Sequence, residues 1–195
     1  SLVGSEMCIR DRDEAGWVMN ESTGIREKDG KPLNLLLTLE SDYSATSMPT
    51  AEVIKSQLAE VGIDVTIYGT EQMQWYADYL EGKFDLTLWH SQFAFASPHC
   101  WFTPMDSMVP QTPSLPGIEG SDEFLATIKN LTNMVDEQEV RDTYTYLFNF
   151  DIGTALDIPL TYQKDMIVYN TDKISGYTFT GTPYFFDILS LEPAE

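Results

Sequence analysis

Apolar and polar residues follow strand and helix periods in turn through the first half of the chain. Residues 33–39 (LNLLLTL) are mostly apolar and predict a buried strand, while residues 63–68 (IDVTIY) and 84–90 (FDLTLWH) alternate as strands do. Residues 48–61 predict a helix, since Pro49 suits a first helical turn and the apolar positions fall on one face. The order of strand and helix favours an α/β fold, with a mostly parallel sheet and flanking helices.

A second helix is predicted between the last two of these strands. Thr70 can cap its first turn, and Gly82 can end it. Helical spacing places Met73, Tyr76 and Leu80 on one side, which we expect to face the sheet.

The regular pattern stops for about thirty residues beyond His90. Five prolines in this stretch forbid a long helix or strand. A structureless segment of that length in a compact domain is usually either functional or disordered. The aromatic residues in its first half favour order, and they are Phe93, Phe95, Trp101 and Phe102.

Helical periodicity resumes at Ser121. The apolar face of this helix is predicted to contain Phe124, Ile128, Leu131 and Val135.

A further helix is predicted after Asp136, because Glu139 follows it at the spacing of a capping box. Its apolar face is predicted to contain Val140, Tyr144, Leu147 and Phe148. Strands are then expected around residues 157–162, where Pro159 implies an edge or a bulge, and over residues 166–169.

The amino-acid composition argues against several classes of function. The 195 residues include 31 acidic and 11 basic side chains, for a formal net charge of −20. This charge repels nucleic-acid phosphates and anionic lipid headgroups, so we expect no nucleic-acid partner and no direct membrane contact. Two cysteines are too few for a disulfide-rich scaffold or a cysteine-rich zinc module. The 24 aromatic residues argue against disorder.

Residues 1–12 (SLVGSEMCIRDR) have neither a helical nor a strand period and lack the layout of a signal peptide. They resemble a string that recurs when sequencing-adaptor DNA is translated at the edge of an assembled contig. We therefore exclude residues 1–12 from the fold as adaptor-derived. The net charge is unchanged by this, since the segment holds two basic and two acidic residues, and Cys100 becomes the single cysteine.

Ligand binding is expected where parallel strands end, because open α/β sheets bind ligands beyond their carboxyl ends. Three such ends are residues 40–44, residues 69–71 and the segment from His90 onward, which leads into the aromatic loop. The alternative is that the aromatic rings only pack this loop onto the sheet. The predicted ligand-binding residues are Tyr43, Trp89, His90, Gln92, Phe93 and Phe95.

Catalytic and metal-binding patterns are weak. The sequence contains no Gly-rich phosphate loop, nucleophile elbow or His-Glu metalloprotease motif, so an enzyme is not expected. His90, His99 and Cys100 are ligand types for zinc, copper or nickel, but no tight pair at helical spacing supports them. We therefore predict no cofactor and no metal site.

Several segments, taken in order, form a set of recognisable motifs: residues 13–17 (DEAGW), 24–33 (GIREKDGKPL), 51–65 (AEVIKSQLAEVGIDV), 75–76 (WY), 82–86 (GKFDL), 158–160 (IPL) and 168–170 (VYN). As a set they resemble motifs of the extracytoplasmic solute-binding proteins of peptide and nickel ABC transporters (family 5). Residues 97–99 (SPH) resemble a structural turn of the family. A metal-contacting histidine of the nickel-binding members would fall near residues 109–112, where this sequence has none.

The resemblance implies a lobe of the type II periplasmic-binding-protein fold. Residues 13–164 would be the C-terminal lobe, and residues 165–195 would return toward an N-terminal lobe that this sequence lacks. The implied function is capture of a peptide, nickel chelate or similar small solute by two-lobe closure, for an ABC permease. The implied location is periplasmic or extracellular, with membrane contact only through a lipid anchor or the permease. The alternative is a receptor domain that reports its ligand to a sensor.

Overall fold

The computed structural model describes residues 10–90, 98–106, 113–161, 167–178 and 188–194. Within it the chain divides into two compact units, residues 1–90 and residues 91–195. In the described part of the chain, every helix is too short or too polar to cross a membrane.

A small antiparallel sheet opens the first unit. Its strands are β1 (Val18–Asn20), β2 (Ile25–Lys28) and β3 (Lys31–Pro32). Asp29 and Gly30 close the β2–β3 hairpin with φ angles of +53° and +74°, a geometry typical of two-residue hairpin turns. Arg26 of β2 is 2% exposed, and its guanidinium donates to the Val61 carbonyl at 2.8 Å. This bond ties the small sheet to the rest of the unit.

A parallel sheet forms the centre of the first unit, as predicted. Its strands are β4 (Asn34–Glu40), β5 (Asp64–Thr70) and β6 (Leu86–Leu88), in the order β5-β4-β6. Leu37 aligns with Ile67 on one side and with Leu86 on the other. The buried core of this unit consists of Leu37, Leu39, Ala51, Ile63 and Val65.

Two helices connect these strands: α1 (Ser47–Ala59) and α2 (Gln72–Leu80). The predicted face of α2 is wrong. Trp75 and Tyr79 are each 7% exposed, whereas Met73 is 74% exposed. The two large rings lie one turn apart, so they share the buried face of α2. The cap residue is Glu71 rather than Thr70.

Helices dominate the second unit: α3 (Pro98–Phe102), α4 (Ser121–Asn130) and α5 (Glu137–Gly153). They enclose a separate core of Phe102, Met105, Leu115, Phe124, Ile128, Leu131 and Leu147. The predicted start of α5 is confirmed, since the Asp136 carboxylate accepts from the backbone amides of Gln138 and Glu139.

Three predictions from the pattern are wrong. Val135 is 96% exposed, because α4 ends at Asn130 and a 3-10 turn changes the direction of the chain before Val135. Residues 157–161 and 167–170 form no strand, and residues 162–166 lie outside the described part. Pro159 cannot donate to a ladder, and the described residues offer these two runs no strand partner. The late sheet instead pairs β7 (Ile174–Tyr177) with β8 (Leu191–Pro193).

A short helical turn overlaps the last three residues of the segment excluded from the fold. Residues 10–14 form a helical turn, in which the Arg10 guanidinium lies 3.5 Å from the Glu14 carboxylate. An ion pair at this spacing supports a helix that the apolar pattern does not indicate.

Candidate functional site

The carboxyl ends of β4 and β5 meet at one edge of the parallel sheet. Glu40 and Thr70 are register partners, and both the amide and the hydroxyl of Ser41 donate to the Thr70 carbonyl, at 2.8 and 2.9 Å. Because β6 runs parallel to β4, its carboxyl end points the same way. We call residues 40–44, 69–71 and 89–90 the carboxyl edge.

Tyr43 and His90 are in direct contact at this edge, although 46 residues separate them. Their ring centroids are 4.0 Å apart and the ring planes differ by 18°, so the rings stack. The His90 Nε2 atom lies 3.4 Å from the hydroxyl of Ser47, which is buried at the start of α1. The loop after β4, the end of β6 and helix α1 thus position one imidazole.

His90 sits in an environment that favours its neutral form. Partial burial lowers the pKa of the imidazole below its usual value, and the Glu40 carboxylate opposes this in part. A neutral imidazole offers one hydrogen-bond donor and one acceptor. The ring can therefore orient a polar ligand without contributing a charge.

Trp89, the residue before His90, packs its ring against helix α2. Its ring centroid lies 5.1 Å from that of Trp75 and 4.9 Å from that of Tyr79, both on α2. The Trp75 indole N–H donates to the Thr87 hydroxyl on β6 at 3.1 Å, which fixes the supporting ring. Trp89 nevertheless remains 40% exposed. The ring therefore both packs on α2 and presents surface to solvent.

Three residues that support this edge were not identified from the sequence. The spacing of Trp75 and Tyr79, four residues apart, is a signal for a shared helical face. Ser47 carries no such signal, since its contact with His90 depends on how α1 packs against β6.

The predicted site is partly described. Tyr43, Trp89 and His90 lie at the carboxyl edge, and their role as ligand contacts stays a prediction. Gln92, Phe93 and Phe95 lie outside the described residues, so their role as ligand contacts stays a prediction.

Helix α3 carries the other two residues whose side chains could bind a metal ion. His99 and Cys100 lie on this short helix, where the His99 carbonyl accepts from the Thr103 hydroxyl at 2.6 Å. Over residues 10–90 and the other described ranges, no three His, Cys, Asp or Glu side chains converge as metal ligands.

A shallow cavity of about 580 Å³ lies in the second unit, between α4 and α5. It contains none of the predicted ligand-binding residues. It is lined by Thr127, Asp136, Gln138, Glu139, Asp142, Thr143 and Tyr146.

Comparison with known proteins relates both units to one family. Residues 12–112 match the family described as bacterial extracellular solute-binding proteins, family 5 middle. The nickel-binding periplasmic protein of Escherichia coli (strain K12) is 26% identical over 160 residues, which are 80% of this chain and 30% of that protein.

Two solved structures show how far the similarity extends. NikA from Brucella suis, in complex with Fe(III)-EDTA, is 27% identical with a TM-score of 0.81, over 95% of this chain and 37% of that one. The oligopeptide-binding protein AppA from Bacillus subtilis, in complex with a nonapeptide, has the same fold, with a TM-score of 0.65 at 15% identity. That match covers 97% of this chain and 37% of AppA.

The chain therefore spans about a third of the length of these relatives. The fold is the α/β fold of type II periplasmic-binding proteins. With the family match covering more than half of its residues, the chain belongs to the bacterial extracellular solute-binding proteins, family 5.

Proposed function

We propose that this chain is part of the substrate-binding component of an ABC importer, which captures a small solute outside the membrane. Family membership supports a binding role rather than catalysis. The names of the relatives favour a peptide or a nickel chelate as the solute. The description of the family as extracellular supports a periplasmic or extracellular location.

The observation that carries the proposal is the aromatic surface at the carboxyl edge. Tyr43 stacks on a neutral His90, and Trp89 presents a partly exposed ring next to it in sequence. Binding sites for small molecules are mostly apolar walls with a few polar groups that fix orientation. Gln92, Phe93 and Phe95 would extend this surface along the following loop.

Residues 13–164 would form most of the C-terminal lobe, and residues 165–195 would return toward the N-terminal lobe. The order of the family motifs along residues 13–170 supports this assignment. Closure of two lobes around the ligand would produce the form that docks on the permease. The carboxyl edge would supply this lobe's half of the cleft.

Calorimetry on the intact two-lobed protein tests the proposal. The probes are a nonapeptide, a nickel(II)–histidine chelate and Fe(III)-EDTA. We expect at least one to bind, and we expect the Tyr43→Ala and His90→Ala variants to bind it about tenfold or more weakly, which corresponds to at least about 1.4 kcal/mol.

Tyr146→Ala is the matched control. Tyr146 is 37% exposed, against 38% for Tyr43, and it lines the cavity in the second unit. This variant should bind as the parent does. Loss of binding in Tyr146→Ala, with full binding in the two carboxyl-edge variants, would move the site to the cavity and overturn the proposal.

A further inference from the structure

A buried carboxylate lies near the end of α5 in the second unit. Asp151 is 3% exposed, and its Oδ2 atom accepts from the Trp101 indole N–H at 3.1 Å. Its Oδ1 atom is also buried, and no N–H or O–H group of the described residues donates to it. A buried acceptor without a donor is costly, so a native structure is expected to supply one.

The chain after α5 folds back onto this carboxylate. The Leu156 amide donates to the Asp151 carbonyl at 3.1 Å, and Ala155 has a φ of +53°. The Thr154 hydroxyl donates to the Phe150 carbonyl at 2.8 Å. This tight return brings the side chain and the backbone amide of Asp157 beside the Asp151 carboxylate.

Two carboxyl groups in contact at a buried site do not both ionise easily. Burial raises the pKa of both, and the charge of Asp151 raises the pKa of Asp157 further, to about 7. The indole N–H of Trp101 favours the ionised form of Asp151. The indole bond thus favours Asp151 as the ionised member of the pair and Asp157 as the protonated one.

The elements packed around the pair carry other titratable groups. Helix α3 carries His99 and Cys100 beside Trp101. The turn after α3 carries Asp106, which is ion-paired with Lys129 of α4 at 3.2 Å. Neither Asp106 nor Lys129 is among the groups that shift the two pKa values.

We propose that Asp151 and Asp157 share one proton in the folded protein, and that this proton fastens the segment after α5 to the helix. The Asp157 carboxyl O–H donates to Asp151 Oδ1, so the buried acceptor gains its donor. Loss of the proton leaves two negative charges in contact, which loosens this attachment. The pair is thus a pH-sensitive latch within the second unit.

A proton fits this site better than a metal ion. A calcium or magnesium ion keeps its oxygen ligands about 2.0–2.6 Å away and requires about six of them. The two carboxyl groups are within hydrogen-bonding contact, and among the described residues no third acidic or histidine side chain completes a ligand set.

Urea unfolding of the 195-residue chain between pH 4.5 and 8.5 tests the latch. A folded-state pKa of about 7, against about 3.9 in the unfolded chain, means that the folded state binds more protons between these values. The unfolding constant of the parent should therefore rise with pH in this window, by up to tenfold per pH unit, relative to Asp157→Asn. Above about pH 7 the ratio of the unfolding constants of the parent and of Asp157→Asn should become constant.

The Asp157→Asn variant should also be the more stable protein at pH 8. Its side-chain amide donates to Asp151 Oδ1 without needing a proton. Asp142→Asn is the matched control, since Asp142 is an exposed carboxylate on α5, the helix that carries Asp151. This control should follow the parent at every pH. An Asp157→Asn variant that also follows the parent would overturn the proposal.

Infrared spectroscopy of the parent chain gives a second readout that needs no variant to fold. The carbonyl band of a protonated carboxyl group should persist at pH 6 and disappear with a midpoint near pH 7. Absence of this band at pH 6 would overturn the proposal. So would stabilisation of the parent by millimolar calcium at pH 8 that Asp157→Asn does not show, since a cation would then hold the pair.

Discussion

At the scale of single residues, His90 is the group whose state most affects the proposed site. Its imidazole stacks on Tyr43 and contacts Ser47, and burial keeps it neutral near pH 7. Neither the stacking on Tyr43 nor the contact with Ser47 requires a positive charge on the imidazole. The environment therefore favours the unprotonated ring over the protonated one.

The first prediction is that the free energy of unfolding decreases in mild acid because His90 becomes protonated. Its folded-state pKa is lowered, so the unfolded chain binds the proton more readily and stability is lost as pH falls through about 6.5 and below. The free energy of unfolding of the parent, compared with that of His90→Gln, should fall between pH 7.5 and 5. Parallel curves for the two proteins would contradict this.

The second prediction concerns the aromatic residues Phe93 and Phe95, which follow β6 in the sequence. In the intact two-lobed protein, replacing Phe93 and Phe95 by alanine should weaken ligand binding by roughly 1–3 kcal/mol, if both rings are buried against ligand. His99→Ala should mainly affect folding, since His99 lies in the short helix that follows. Calorimetry would separate the two roles. Unchanged affinity in the double variant, with lost affinity in His99→Ala, would reverse the assignment and favour a metal site.

At the scale of elements, helix ends follow local rules while buried faces do not. Asp136 satisfies two amide donors of α5, as its spacing from Glu139 predicts. The buried face of α2 follows instead from which rings fill the space beside β6. A cap depends on residues three positions apart, whereas a buried face depends on the whole sheet.

The third prediction is that Asp136→Ala destabilises the chain by about 0.5–2 kcal/mol, because two amides at the start of α5 lose their acceptor. Denaturant unfolding at pH 7 measures this. Asp142 is an exposed carboxylate about one and a half turns into the same helix. Asp142→Ala should therefore destabilise the chain less than Asp136→Ala does. Equal losses in the two variants would show that net charge, rather than capping, is responsible.

At the scale of the whole molecule, the chain presents apolar side chains that a folded protein usually covers. In the second unit Val168 is 97% exposed, Ile188 is 69% exposed and Ile158 is 66% exposed. Exposed apolar surface of this kind promotes association. The chain also spans only about a third of the length of its relatives.

The fourth prediction is that the isolated chain is marginally stable or self-associates, and that roughly its last twenty residues pack poorly. The residues expected to need further partners are Tyr177, Phe179, Tyr184, Phe185 and Phe186, of which Tyr177 is described. Size-exclusion chromatography with light scattering, thermal unfolding and amide exchange test this. A monomer with a sharp, reversible transition and strong protection across residues 176–191 would contradict it.

The sequence by itself determined the order of strands and helices in the first unit and its parallel sheet. It also determined the start of α5 and the edge at which Tyr43, Trp89 and His90 lie. These features follow from short-range periodicity and from the rule that parallel strands end at the same edge. Family motifs spread over the chain carried the assignment to family 5, which the match over residues 12–112 confirms.

Only the tertiary structure decided the features that depend on contacts between distant segments. Ser47 reaches His90 across 43 residues, and Trp75 supports Trp89 from a separate helix. The late apolar runs did not become strands, because a strand requires a partner and the described structure gives them none. The contact of Asp151 with Asp157 depends on a left-handed residue, Ala155, that no local pattern marks. Such contacts are set by packing, which sequence spacing alone does not encode.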